Sequence, residues 1–340
     1  MKEIESKINS HGIYRPELDG LRAFAVTAVI INHFNKNLMG SGYLGVDIFF
    51  VISGYVITSS LFSRRINGFK PFISSFYQRR IKRLLPALIA YIFPISIIIW
   101  IIDPIPKAAL RTGLTSIFGL SNLYLFKSAT DYFAISTELN PFTHTWSLAV
   151  EEQFYFVFPI IIWLCSLKKS KKERKRNLLI ILLTLSIPSL LAFIFLYVSN
   201  QSAAYFLMPT RFWEIAFGSL TYIFYSEKSF LIDKIKKLNP SIIFISIIAI
   251  LFFPQSTGVY STILVVLLSC LIIFCLRDGT KIFNLLTKRQ ILFIGRSSYS
   301  IYLWHWGVLS ISRWTIGIIW WTVPFQIILI ILLSKISYKY

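Results

Sequence analysis

Residues 17–34 read ELDGLRAFAVTAVIINHF. Arg22 and His33 sit in this otherwise apolar run. An ionisable group in a helix at membrane depth costs about 3 kcal/mol or more and marks a candidate functional position. Eleven residues are close to three helical turns, so both side chains project from nearly the same face, roughly 16 Å apart along the axis. A cation at one end and a titratable base at the other suit a substrate lying along the helix.

Three further stretches carry groups of this kind. In GSGYLGVDIFFVISGY, Asp47 interrupts an apolar run, and a carboxylate there needs a partner. The short connection from the first helix makes His33 the expected one. An Asp–His pair would orient the imidazole and raise its basicity. Gly42, Gly45 and Gly54 in the same stretch would let helix backbones approach closely. In FYQRRIKRLLP, Arg80 and Arg83 are spaced i, i+3, so both guanidinium groups share a helix face suited to phosphates. Arg79 and Lys82 flank them. The stretch NPFTHTWSLAVEEQFYFVFP gathers His144, Trp146, Ser147, Glu151, Glu152, Gln153 and Tyr155. Its carboxylates can act as acid, base or acceptor for sugar hydroxyls. Glu151 and Glu152 are adjacent, point to different faces and are expected to do different jobs. RFWE at 211–214 places Arg211 and Glu214 for an intramembrane ion pair, and SSYSIYLWHW brings His305 towards the side of the membrane where His33 lies.

The elements that must position these groups follow from composition. The chain has 340 residues, 55% hydrophobic and 15% charged, with a mean hydropathy of +0.65. A soluble domain carries about 25% charged residues. Apolar runs over 21–36, 44–62, 84–102, 146–167, 178–198, 205–225, 241–253, 259–276, 297–312 and 316–336 predict about ten transmembrane helices. The fold class is thus all-α and polytopic. Residues 1–20 form a polar segment with no small-residue cleavage site after a short apolar stretch, followed by one membrane domain over 21–336 and a short end at 337–340.

Net charge is +20, and its distribution gives the topology. Lys and Arg crowd the N-terminal segment, loop 63–83, the run KKSKKERKRN at 168–177, loop 226–240 and segment 277–296. Cytoplasmic loops carry this excess, so these segments and both chain ends are expected inside. Only two spans fit between loop 63–83 and loop 168–177. That puts 103–145 outside, with 108–126 as an interfacial or partly inserted helix. The same distribution argues for attraction to anionic lipid and against a nucleic-acid partner. Cys165, Cys270 and Cys275 lie in or beside apolar runs without metal-ligand spacing, so no metal site is expected.

RPELDGLRAFAVTAVIINH, GYLGVDIFFVISGYVIT, FYQRRIKRLLPAL, HTWSLAVEEQFYFVFP and SSYSIYLWHW together resemble acyltransferase family 3. These are bacterial membrane O-acyltransferases acting on lipopolysaccharide O-antigens and other envelope glycans. The resemblance implies an enzyme of the cytoplasmic membrane that moves an acyl group, acetyl above all, from cytosolic acetyl-CoA to a glycan hydroxyl on the outer side. It implies acyl-CoA binding by Arg80 and Arg83, joined by Arg22. His33 would act as general base or as nucleophile, with Asp47 or Glu151 orienting it. The acceptor would meet His144, Trp146, Glu152 and Tyr155 at the outer mouth. Members opening with RPELDGLRA often continue into an extracytoplasmic SGNH-type domain, so the chain is expected either to be a shorter member or to stop just before one. Ten spans with intramembrane charges also fit a transporter or flippase for an anionic or lipid-linked glycan. The lack of internal repeats and the gathering of arginines at one face stand against that reading.

Overall fold

The computed structural model describes residues 14–62, 64, 68–128, 135–167, 170–226 and 230–338. The polar segment up to residue 13, residues 339–340 and parts of the basic loops at 63–83, 168–177 and 226–240 lie outside the described residues. The described chain is helical throughout: α1 Pro16–Phe34, α2 Gly45–Phe62, α3 Phe69–Ile102, α4 Lys107–Ile117, α5 Ser121–Lys127, α6 Ile135–Leu139, α7 Thr145–Ser166, α8 Lys171–Ser199 and α9 Gln201–Phe206. There follow α10 Met208–Tyr225, α11 Phe230–Lys236, α12 Pro240–Leu251, α13 Gly258–Cys275, α14 Lys281–Leu286, α15 Arg289–Arg296, α16 Ser298–Trp314 and α17 Val323–Tyr338. Local chemistry sets several of the starts. Pro16 opens α1, where a missing N–H costs no helix bond. Ser170 and Glu173 form a reciprocal capping box at the head of α8.

Among the described residues, five helical stretches are long and apolar enough to cross a bilayer: Gly42–Phe62, Phe69–Ile102, Thr145–Ser166, Lys171–Ser199 and Gln255–Cys275. Of the 34 residues of α3, the apolar 84–102 would cover roughly 28 Å, close to a hydrocarbon core. The preceding turns, with Arg79, Arg80 and Arg83, therefore come at its edge. Two expected elements differ from their predicted form. Segment 108–126 breaks into α4 and α5 around Gly119, whose φ of 65° lies in the left-handed region. The 11 residues of α4 reach only about 16 Å. The last helix begins at Val323, because residues 316–322 are taken up by turns that include Gly317 at φ 73°.

Polarity is arranged inside-out relative to a soluble domain. Phe93, Trp100, Phe195 and Val198 are exposed, while His33, Asp47, His144, Arg211, Glu214 and His305 are buried. Apolar side chains can face hydrocarbon freely, whereas polar ones gain by turning inward. Small residues let the interior close around them. Gly54 on α2 and Gly218 on α10 lie against each other's helix backbone, so a Cβ at either would overlap the carbonyl of Ile215 or Val51. Gly42 and Gly45 likewise back onto the Ala28 and Ala25 carbonyls of α1. This is the close approach their sequence pattern predicts.

Candidate active site

One face of α1 connects two polar regions. At its N-terminal end Arg22 lines a narrow cavity of about 80 Å³ together with Arg80 and Arg83 of α3 and Glu151 and Tyr155 of α7. The arginine pair therefore does share a face, as i, i+3 spacing requires, and it meets Arg22 across the cavity. Each member is held differently. Arg22 donates to Asp19 at 3.0 Å, and Arg80 stacks 4.9 Å from the centre of the Tyr155 ring. The Tyr155 hydroxyl donates to Glu151 Oε2 at 2.5 Å. Three cations against one carboxylate leave the lining cationic, which suits a phosphate-bearing ligand.

The cavity ends at two hydroxyls. Ser147 and Tyr302 both line it, and their oxygens lie 2.9 Å apart. Tyr302 also donates to the carbonyl of His144 at 3.2 Å. Immediately beyond lies a cluster of three histidines. His305 Nδ1 is 2.5 Å from the Tyr302 carbonyl, and His33 Nδ1 is 3.0 Å from His305 Nε2. The protons follow from donor and acceptor chemistry. A carbonyl only accepts, so His305 Nδ1 must donate. In neutral His305, Nε2 then holds a lone pair and accepts from His33 Nδ1–H. The free lone pair of His33 is therefore on Nε2. That is the arrangement required of a base or nucleophile oriented through its second nitrogen. His144 lies within the same wall, its ring 5.7 Å from His305 and 5.5 Å from Tyr91 by centroids.

On the other side of the wall, His33 borders a cavity of about 320 Å³ with Asn35, Lys36, Asn37, Glu138 and Arg313. Glu138 bridges Lys36 at 2.6 Å and Arg313 at 3.1 Å. Arg313 also donates to the His33 carbonyl at 2.8 Å. Two chambers thus lie at opposite ends of one helix face, separated by Ser147, Tyr302 and the histidines.

Several expected placements differ. Asp47 does not pair with His33. It accepts from Arg211 at 2.9 Å, and Arg211 also meets Glu214 at 2.9 Å, the expected i, i+3 pair. All three are essentially inaccessible, so the carboxylate is matched where a cation was available at the same depth. Trp146 belongs to the aromatic cage around this Arg211, 5.7 Å from its guanidinium carbon, alongside Phe50, Phe193 and Tyr205. It does not reach the chamber beside His33. Glu151 lies in the arginine cavity and has no contact with His33. Glu152 turns to another face, against Gly119, and lines a groove with Tyr77, Phe118 and Phe156 that Arg80 and Tyr155 also border. Tyr155 lies with the arginines, and His144 lies in the wall. None of the four residues expected to meet an acceptor lines the His33 chamber.

Asp19, Tyr302, Glu138 and Arg313 are the positions that sequence reasoning missed, and His305 carried more than its motif suggested. A signal existed for part of this. Ser298, Tyr302 and His305 follow i, i+4, i+7 spacing, as Ser147, Glu151 and Tyr155 follow i, i+4, i+8. Each set is one stripe of a helix. No comparable signal marks Glu138 or Arg313.

Comparison with known proteins gives the family. Residues 15–338 match the family model described as an acyltransferase domain. The chain is 33% identical over 343 residues to O-acetyltransferase OatA of Staphylococcus aureus, covering 96% of this chain and 56% of that protein. It is 30% identical over 349 residues to the Bacillus subtilis protein named "Putative peptidoglycan O-acetyltransferase YrhL", covering 97% and 54%. The chain therefore spans little more than half the length of these relatives. No solved structure matches it. With the motifs around Arg22, His33, Arg80, Glu151 and His305 all inside the matched span, the chain belongs to acyltransferase family 3.

Proposed function

We propose that this chain is the membrane domain of an O-acetyltransferase. It takes an acetyl group from acetyl-CoA at the cytoplasmic face of a bacterial cytoplasmic membrane and delivers it to a glycan hydroxyl on the outer side. The observation that carries the reading is the single α1 face with a three-arginine cavity at one end and an oriented, lone-pair-bearing His33 at the other. The positive-inside bias supports placing the arginine end and the N-terminus in the cytoplasm. The name of the B. subtilis relative supports peptidoglycan over the O-antigen as the acceptor.

In this scheme Arg22, Arg80 and Arg83 hold the phosphates of the donor, and the thioester arm points along α1 towards Ser147 and Tyr302. His33 Nε2 removes the proton of the acceptor hydroxyl as its oxygen attacks the thioester carbonyl. The new C–O bond forms, the C–S bond breaks, and the proton passes to the departing thiolate. The same lone pair serves a two-step route in which Nε2 carries the acetyl group and then yields it to the hydroxyl. His305, in place of the expected Asp47, accepts the Nδ1 hydrogen bond of the His33 imidazolium. The test uses proteoliposomes with acetyl-CoA on the arginine side and a peptidoglycan fragment on the other. The wild-type protein is expected to form an acetyl ester detectable by mass. His33→Ala is expected to form none while keeping its thermal unfolding profile. Undiminished transfer by that variant would remove the scheme.

A further inference from the structure

The chamber beside His33 has a charge pattern that the transfer chemistry alone does not need. Lys36 and Arg313 supply two cations, and Glu138, bridging both, supplies one anion. The other polar residues among the described ones that line it, His33, Asn35 and Asn37, are uncharged or titratable, so the described lining carries an excess positive charge. The donors are also unevenly spent. Arg313 Nε is held by Glu138 and one terminal nitrogen by the His33 carbonyl, but Nη1 is buried without a hydrogen-bond partner among the described residues. Lys36 is still 46% exposed beside it and can turn toward a guest.

We infer that this chamber is an anion subsite for the acceptor, taking a carboxylate or phosphate group on the glycan through Lys36 Nζ and the Arg313 guanidinium that lines it. The inference rests on the proposed transfer reading and narrows its substrate class to anionic glycans. Because Arg313 also holds the backbone of His33, an anion seated on it would place the sugar hydroxyl at a set distance from that imidazole. Glu138 keeps the two cations in position before the acceptor arrives and competes mildly with it.

The sign of two substitutions separates this from a merely structural cluster. The acceptors to compare are a neutral oligosaccharide, the same oligosaccharide bearing a carboxylate, and one bearing a phosphate ester, with acetyl-CoA saturating. Lys36→Gln is expected to lower kcat/KM for the anionic acceptors, relative to the neutral one, by on the order of tenfold, the effect of one charge-assisted hydrogen bond. Glu138→Gln breaks the ion pair to Lys36 and the one to Arg313 yet keeps both cations, so it is expected to leave that preference intact or strengthen it. Whichever of the carboxylated and phosphorylated acceptors shows the larger Lys36 effect identifies the group. If both variants lose activity equally on all three acceptors, the cluster is a structural staple and the inference is overturned. If the wild-type protein acetylates none of them, the transfer reading falls and this inference with it.

Discussion

Replacing His305 by Phe is expected to slow transfer without weakening donor binding. The substitution keeps a ring of similar volume in a fully buried position, so packing loss is small. What it removes is the acceptor, 3.0 Å away, for His33 Nδ1–H. That bond matters most when His33 is protonated, because a hydrogen bond from a charged donor contributes about 1.5–3 kcal/mol. At 1.36 kcal/mol per tenfold in rate, kcat should fall by about 10- to 150-fold. KM for acetyl-CoA should hold, because the arginines that bind it line a separate cavity. His305→Gln, whose side-chain oxygen can accept from Nδ1, should recover part of the loss. The assay follows thiol release from acetyl-CoA in proteoliposomes with excess acceptor, together with thermal unfolding of each variant in detergent. A kcat within about twofold of wild type for His305→Phe would refute the orienting role. So would a rate loss matched by a loss of folded protein.

Other outcomes follow from the same geometry. Arg80→Ala and Arg83→Ala should each raise KM for acetyl-CoA by about tenfold or more, at the cost of a charge-assisted contact to phosphate, and calorimetric titration with CoA checks this independently of turnover. Glu151→Gln should disturb donor binding, since it changes the charge balance of the arginine cavity. Asp47→Ala should act on stability, because stripping one member from a buried charge cluster costs about 3–5 kcal/mol. Its folded yield and unfolding temperature should drop, while Arg80→Ala and Arg83→Ala should leave both near wild type.

Much of the layout was legible because it is local. Helical phase depends on 3.6 residues per turn and on nothing distant, so Arg22 and His33 could be placed on one face, and Arg80 with Arg83, from spacing alone. The separate fates of Glu151 and Glu152 follow from the same geometry. Apolar length marked the membrane character, and the glycines of the second helix marked a close crossing. The interruption of 108–126 was less visible. A left-handed glycine at 119 divides it, and the residue type permits that conformation without requiring it.

By itself, the sequence determined which side chains share a helix face and which stretches are apolar enough for a membrane. It did not determine who stands opposite. Asp47 meets Arg211, 164 residues away, and His33 meets His305, 272 residues away. Both pairings arise where separate helices cross, and the crossing is set by how glycines and aromatic rings pack along the whole bundle. A nearby carboxylate was the natural partner to expect for His33. The packing gave that carboxylate to a buried arginine and gave the histidine a second imidazole, because a charge in a low-dielectric interior must be matched by whatever group lies at its own depth.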